Sequence, residues 1–187
     1  IACVDTSPIM EKDWAQKAGL GWIGKHTNLI TRDYGSWIFL GELLLDVELE
    51  YDIPFEDDLC GTCTACLDAC PTDAFPEPYV LDSNKCISYL TIEHRGDLPT
   101  KLEDKLSGWI YGCDICQEVC PWNIKFPQNS NEDCWQPRSN LNNRVINEWK
   151  GLTEDEYRKL FKGSAVKRAK YKGLMRNINH YKLQSKN

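Results

Sequence analysis

Short apolar runs and one stretch of helical spacing make up the start of this chain. Apolar side chains recur at helical intervals over 9–18, which predicts an amphipathic helix that ends at Gly19. Continuous apolar runs at 1–4, 28–31 and 37–45 predict three strands, and the last two have the composition of strands buried on both faces. This order of elements indicates an α/β part.

Helical periodicity dominates the end of the chain. Thr153 begins a helix with a capping box, because Glu156 stands three residues later. A last helix is predicted over 164–179, and a shorter amphipathic helix over 98–106. The core positions expected on the last helix are Ala165, Ala169, Leu174 and Ile178. The chain as a whole is therefore predicted to belong to the α+β class.

Length and charge narrow the picture. The 187 residues suffice for one domain, or for one domain with a small appendage. No run of about 18 apolar residues exists, so a membrane-spanning helix is not expected. The formal net charge is -6, yet residues 162–187 carry eight basic residues and no acidic one. A basic end on an acidic protein is a candidate contact with a phosphate backbone, and a solvated helix face is an equally good interpretation.

Eight of the ten cysteines fall into two sets whose spacing is typical of iron–sulfur ligands. The first set, with the spacing C-x2-C-x2-C-x3-C-P, consists of Cys60, Cys63, Cys66 and Cys70. The second ends in C-x2-C-x3-C-P and consists of Cys86, Cys113, Cys116 and Cys120. Three closely spaced thiolates face one iron–sulfur cube, and the cysteine before the proline ligates the other. We therefore expect one 4Fe–4S cluster on Cys60, Cys63, Cys66 and Cys120, and another on Cys86, Cys113, Cys116 and Cys70.

Two other interpretations fit the cysteines less well. Structural zinc requires four sulfur or nitrogen ligands around each ion, but it explains neither Cys66 nor the Cys-Pro ending of both sets. A disulfide framework is typical of short secreted chains, and no signal-peptide stretch is visible. Oxygen-sensitive clusters instead favour a reducing cytoplasm. Cys3 and Cys134 lie outside the pattern, Cys3 as a small buried residue and Cys134 without an assigned role.

Two stretches near the start carry further candidate chemistry. Gly19, Gly21 and Gly24 let the backbone approach a large ligand or take positive φ. A phosphate-binding loop does not fit there, because His26 stands where Ser or Thr is required. Asp5 follows an apolar run beside a turn, where a carboxylate can project into a cleft. Capping of the following helix is the alternative, and the local pattern alone favours the cap.

These motifs together resemble one known family, epoxyqueuosine reductase. The resemblance rests on the two cysteine sets, on Val4-Asp5-Thr6-Ser7-Pro8, on Gly19-Leu20-Gly21-Trp22-Ile23-Gly24-Lys25, and on Gly163-Ser164-Ala165-Val166-Lys167-Arg168. It implies an enzyme that reduces the epoxide of epoxyqueuosine at the tRNA wobble position with cobalamin and two 4Fe–4S clusters. Measured against the family, the N-terminal cobalamin-binding part is missing before Ile1, and most of a helical-repeat tail is missing after His180. Only part of the corrin pocket is therefore expected here.

The resemblance also implies a domain division and a set of site residues. Residues 1–52 match the end of the cobalamin-binding catalytic domain, 53–137 a bacterial-ferredoxin-like domain with two clusters, and 138–187 a helical segment that starts the repeat tail. The family's proton donor matches Asp5, and the same residue matches a cobalamin contact. This match reverses the preference for Asp5 as a helix cap. The other matched cobalamin contacts are Lys25, Ile30, Gly41, Ser88, Arg95, Cys113, Asp114, Ile115 and Cys116. The Cys86 cluster is thereby expected beside cobalt.

The implied mechanism needs two electrons and a proton donor, because the epoxide becomes an alkene and loses its oxygen as water. Electrons are expected to enter at the Cys60 cluster, pass to the Cys86 cluster and reduce cobalt. Asp5 is expected to protonate the leaving oxygen, its pKa raised by burial against the corrin and Trp22. The implied partners are tRNA and an external donor such as a ferredoxin or flavodoxin. A cytoplasmic monomer is expected.

Three other functions are open alternatives. A reductive dehalogenase also pairs cobalamin with two such clusters, although it is usually exported and has no use for a basic end. A stand-alone electron-transfer module of the ferredoxin type needs neither Asp5 nor the stretch 19–25. A tRNA-binding scaffold carries clusters that are only structural. Substrate assays, cobalamin reconstitution and redox activity of the clusters separate these functions.

Overall fold

The computed structural model describes residues 1–5, 7–126, 130–132, 136, 138, 141 and 144–181. The α-helices among these residues are α1 (Glu11–Lys17), α2 (Ala65–Asp68), α3 (Ile87–Ile92), α4 (Ile115–Glu118), α5 (Pro121–Lys125), α6 (Ile146–Lys150), α7 (Glu154–Leu160) and α8 (Lys170–His180). In the same ranges, 3-10 helices lie at Glu103–Lys105 and Ala165–Ala169. None of the described helices combines the length and the apolar composition that crossing a bilayer requires.

The chain forms two compact units, and neither is a single stretch of sequence. The first unit consists of Ile1–Cys70, Phe75–Leu81 and Ile115–Gln128. The second consists of Pro71–Ala74, Asp82–Asp114 and Asn129–Asn187. The three-part domain division at 1–52, 53–137 and 138–187 stays a prediction.

The described strands belong to the first unit and form two antiparallel pairs. β1 (Ala2–Cys3) pairs with β4 (Glu42–Leu43), and β2 (Trp22–Ile23) pairs with β3 (Leu29–Ile30). Glycine is required beside the second pair, since a Cβ on Gly21 would lie 2.0 Å from the Ile30 carbonyl oxygen. The close approach predicted for this glycine is therefore made to strand β3 of the chain itself.

The prediction of a doubly buried strand over 37–45 is wrong. Only β4 is a strand within that run, and Phe39 is 83% exposed and Leu43 71% exposed. Each sheet in the described ranges has two strands, and so small a sheet covers neither of its own faces. An apolar run shows that a segment would gain from burial, but it does not show what covers it. β3, by contrast, is buried as predicted.

The main core of the second unit lies between α7 and α8. Its buried members are Leu152, Tyr157, Phe161, Leu174 and Ile178. The predicted capping box at the start of α7 is confirmed, because the Glu156 amide donates to Thr153 Oγ1 at 3.3 Å and the Thr153 amide donates to Glu156 Oε2 at 2.9 Å. A smaller core around α3 consists of Ile87, Leu90, Leu98 and Leu106.

Two predicted helices in this unit are interrupted. The helix over 98–106 is only the short 3-10 helix, because the Leu102 and Lys105 amides bond to carbonyls three residues back, at Pro99 and Leu102, in place of four. The helix over 164–179 is divided where α8 begins, at Lys170, whose φ is +61°. A 3-10 turn holds about three residues, so α-helical spacing does not carry through it. Ala165 is consequently exposed, contrary to prediction, whereas Ala169 and the two predicted core residues of α8 are buried.

Candidate metal centre

Four cysteines from two separate stretches of sequence come together in the first unit. They are Cys60, Cys63, Cys66 and Cys120. The first three lie on the loop before α2 and on α2 itself, and α2 packs against α4, which directly precedes the fourth. Cys120 caps α5, and Pro121 occupies the first helical position, where its missing N–H costs nothing. Sequence spacing predicted this set of four.

The electrostatics of these thiols indicate a site that favours positive charge. Burial and the nearby Cys120, Cys60 and Cys63 raise the pKa of Cys66 to about 11. Burial also raises the pKa of Cys120, and the Cys60 and Cys63 thiols act in the same direction. Four thiolates this close would repel one another unless cations lay between them. Iron supplies those cations in a thiolate-bound cluster, so the donor set fits one.

Lys25 fixes the loop that carries the first two cysteines. The residue is 9% exposed, and its ammonium donates to the Gly61 carbonyl at 2.6 Å and to the Cys63 carbonyl at 2.9 Å. Gly61 takes φ +52°, a conformation that favours glycine. The Lys25 side chain therefore binds the backbone of the cysteine loop. Its contact with cobalamin stays a prediction.

Three further side chains hold the same loop, and sequence reasoning gave none of them this role. Trp22 is 1% exposed and donates its indole N–H towards Cys60 Sγ at 3.5 Å. Asp58 accepts from the Cys60 amide at 2.9 Å and from the Tyr79 hydroxyl at 2.5 Å. This hydrogen bond lowers the pKa of Asp58 and raises the pKa of Tyr79 to about 12. The pairs Trp22–Cys60 and Tyr79–Asp58 lie far apart in sequence, so sequence spacing does not predict their hydrogen bonds.

The other four predicted ligands are divided between the units. Cys70 and Cys116 belong to the first unit, and Cys86 and Cys113 to the second. Cys86 caps α3, and the residue before Cys113, Gly112, donates its amide to Thr91 Oγ1 at 3.0 Å. Within the described ranges, no three His, Cys, Asp or Glu side chains are arranged to hold a single metal ion.

Asp5 stands at the end of β1 with φ +53°, and it is exposed. The residue that caps α1 is Met10, so the alternative role of Asp5 as a helix cap is wrong. Trp22, expected to bury this carboxyl, instead stacks on Phe55 with ring centroids 5.6 Å apart. Trp22 therefore does not bury Asp5, and that part of the expectation is wrong.

The remaining predicted cobalamin contacts have different surroundings. Gly41 borders an apolar groove of about 400 Å³ in the first unit, together with Trp14 and Leu20. Ile30 is fully buried beside Trp22. Ser88, Arg95 and Asp114 belong to the second unit, whereas Ile115 begins α4 in the first.

A basic groove of about 560 Å³ lies in the second unit at the start of α8. Arg95, Lys170 and Lys172 line it together with the acidic residues Asp97 and Glu154. Arg168, in the same basic end, pairs with Glu93. Arg176 donates to backbone carbonyls at Leu90, His94 and Gly96. The basic end is thus only partly available for an anionic partner. Lys182 and Lys186 lie outside the described residues.

Comparison with known proteins agrees with this chemistry. Residues 59–123 match the family described as a 4Fe-4S double cluster binding domain. The chain is 50% identical over 181 residues to the epoxyqueuosine reductase of Cellulophaga algicola, which covers 97% of this chain and 58% of that protein. A crystal structure of epoxyqueuosine reductase matches 96% of this chain and 47% of its own, with TM-score 0.89 and 32% identity. Another, of epoxyqueuosine reductase with an epoxyqueuosine-modified tRNA-Tyr stem loop, has the same coverage and identity and TM-score 0.86. The chain thus spans about half the length of the proteins it matches, and the resemblance stated from its motifs is confirmed.

Proposed function

We propose that this chain, a homologue of epoxyqueuosine reductases over nearly its whole length, is the cluster-bearing part of an enzyme that reduces tRNA epoxyqueuosine to queuosine. The observation that carries the proposal is the group of four thiols at Cys60, Cys63, Cys66 and Cys120 in a chain with this identity. The same comparisons support this function over a reductive dehalogenase, a stand-alone ferredoxin module and a scaffold.

The thiols are proposed to hold two 4Fe–4S clusters in crossed pairing. One cluster takes Cys60, Cys63, Cys66 and Cys120, and the other takes Cys86, Cys113, Cys116 and Cys70. The electrostatic neighbourhood of the first four thiols supports the first pairing. The match to a double cluster family over 59–123 supports the presence of the second cluster.

Cobalamin is the proposed second cofactor, and the apolar groove beside Gly41 supports a contribution of this chain to its pocket. The other proposed contacts are Asp5, Lys25, Ile30, Ser88, Arg95, Cys113, Asp114, Ile115 and Cys116. Bound cobalamin and the clusters supply the electron pair that amino acid side chains cannot.

Asp5 is proposed to donate the proton. Epoxide, two electrons and two protons give an alkene and water, and the departing oxygen must be protonated as its bond to carbon breaks. A carboxyl at a strand end, exposed in this chain, can face a substrate directly. Asp5→Asn should retain iron and cobalamin but lower the single-turnover rate constant by about 10²–10⁴-fold. Single-turnover measurement on an epoxyqueuosine stem loop tests this, and undiminished turnover would remove Asp5 from the reaction.

The basic groove is proposed to contact the tRNA backbone through Lys170 and Lys172. Phosphate contacts release counterions, so the affinity should fall steeply with salt. The double variant Lys170→Gln/Lys172→Gln should weaken binding of the stem loop and reduce the salt slope by about two. An affinity that does not change between low and high salt would contradict a phosphate contact.

The experiment that tests the function uses the protein expressed from its full reading frame and reconstituted without oxygen. With cobalamin and a low-potential donor, a ferredoxin or flavodoxin, it should convert epoxyqueuosine in a tRNA stem loop to queuosine. Organohalide turnover in its place would favour a dehalogenase, and zinc in place of iron and sulfide would overturn the proposal. A tRNA substrate and oxygen-labile clusters are consistent with a cytoplasmic enzyme, proposed to act as a monomer.

A further inference from the structure

A hydrogen-bonded network inside the second unit joins α8 to both segments that carry proposed cluster ligands. Its central residue is Asn177, which is fully buried. The Asn177 amide nitrogen donates to the Thr91 carbonyl at 2.8 Å and to the Ile110 carbonyl at 2.9 Å. Thr91 lies on α3, the helix that begins directly after Cys86. Ile110 lies three residues before Cys113. One side chain therefore fixes the spacing between the two segments.

Arg176 completes the network from the neighbouring position on α8. It donates to the Asn177 side-chain oxygen at 2.8 Å and to the carbonyl of Leu90 at 2.6 Å. Its other terminal nitrogen donates to the carbonyls of His94 and Gly96, at 3.1 and 2.7 Å. The last carbonyls of α3 have no amide of a further helical turn to accept from, and Arg176 satisfies that of Leu90 while Asn177 satisfies that of Thr91. Both donors and the acceptor of the Asn177 amide are thus used, which fixes its orientation.

Thr91 brings the network to the residue beside Cys113. Its hydroxyl is fully buried, donates to the Ile87 carbonyl at 2.7 Å and accepts from the Gly112 amide at 3.0 Å. Gly112 takes φ +74°, so the backbone turns sharply directly before the cysteine. The path from Asn177 to Gly112 consists only of buried or half-buried hydrogen bonds, which hold their geometry because competing water is excluded.

We propose that Asn177, with Arg176 and Thr91, positions Cys86 and Cys113 for the second 4Fe–4S cluster, so that the helical end of the chain is a structural part of that cluster's site. This inference rests on the proposed assignment of Cys86 and Cys113 to one cluster. A cluster accepts thiolates only within narrow distances, and each ligand here sits next to a backbone atom that the network fixes. The three residues act through the backbone and are positioning residues.

Asn177→Ala in the full protein is the main test. It removes the donors to Thr91 and Ile110, and anaerobic material should bind about four iron atoms per chain in place of about eight. The electron paramagnetic resonance spectrum of the reduced protein should lose the contribution of one cluster and keep the other. Arg176→Lys, which keeps a positive donor, should retain more of the second cluster than Arg176→Ala.

A matched control separates positioning from general stability. Arg138 also donates to three backbone carbonyls of the second unit, those of Leu160, Lys162 and Gly163, at 3.1 to 3.3 Å. Arg138→Ala should lower the unfolding temperature and leave the iron content unchanged. If Arg138→Ala and Asn177→Ala lose iron equally, the network has no special role.

Two further variants, Thr91→Val and Cys86→Ala, complete the test. Should Asn177→Ala fail to fold, Thr91→Val removes only the hydroxyl that accepts from Gly112, and the same loss of one cluster is expected. Cys86→Ala sets the benchmark for loss of the second cluster. If Cys86→Ala keeps all iron, the ligand assignment itself fails. If Cys86→Ala loses about half the iron while Asn177→Ala and Thr91→Val keep all of it with an unchanged spectrum, only the positioning role fails.

Discussion

The two cysteine-bearing regions of this molecule are supported in different ways. In the first unit, side chains that precede the cysteines in sequence hold the loop, chiefly Lys25 and Trp22. In the second, the segments of Cys86 and Cys113 are held by α8, and Asn177 reaches Thr91 across 86 positions of sequence. Two side chains from the stretch before the cysteines thus hold the loop of the first proposed centre, whereas one side chain of α8 holds both segments of the second unit.

The two proposed centres are therefore sensitive to substitutions at different places. The first depends on the Lys25 and Trp22 side chains and on the loop at Gly61. The second unit's cysteines depend on the end of the chain, although that end looks from its composition like a basic surface. Changes in one region should therefore leave the iron of the other in place.

The largest effect is expected from Cys120→Ala. It removes the fourth ligand of the first centre, so iron should fall by about half and epoxide reduction should stop, because electrons no longer have a complete path. Iron and sulfide analysis with a turnover assay measures both. Cys3→Ala is the control, since Cys3 is buried in β1 but outside both ligand sets, and it should keep its iron. Full iron in Cys120→Ala would contradict the crossed pairing.

His26 gives the next effect, a dependence of stability on pH. Burial lowers its pKa from 6.5 to about 4, and the nearby Lys12 charge acts in the same direction. Its Nδ1 accepts from the Asn28 amide at 3.2 Å, whereas its buried Nε2 has no hydrogen-bond partner among the described residues. Because the folded pKa lies below the unfolded one, stability is complete above pH 6.5 and is lost as pH falls towards 4.

The loss amounts to about 3 kcal/mol at most. His26→Gln should flatten the difference in unfolding free energy between pH 7 and pH 5, which denaturation curves at both values measure. Acid damage to the clusters affects wild type and variant alike, so the comparison between them isolates the histidine. Parallel curves for the two proteins would show that folding leaves the pKa of His26 unchanged.

Sequence reasoning predicted the chemistry better than the packing. The cysteine spacing predicted that Cys120 joins the Cys60 loop, because cluster geometry restricts spacing strongly, and the structure places these thiols near one another. Periodicity failed at 37–45 and at Ala165, since it records a preference for burial and not the layer that provides it. It also missed Asn177, a polar residue in a basic stretch that is fully buried. Buried polar residues are identified by their partners, and those lie far away in sequence.

Lys25→Met is the smallest of these changes and the most direct test of the first region. The thioether keeps much of the buried volume but leaves the carbonyls of Gly61 and Cys63 without their donor, at a cost of about 2 kcal/mol. The loop should loosen, so a chelator should remove iron from the first cluster several-fold faster, while the second cluster keeps its rate. Lys85→Met is the matched control, because Lys85 is exposed and makes a long ion pair, 3.9 Å, with Asp82. If Lys25→Met releases iron from both clusters at the same faster rate, the two regions are not supported independently, and the contrast between them is wrong.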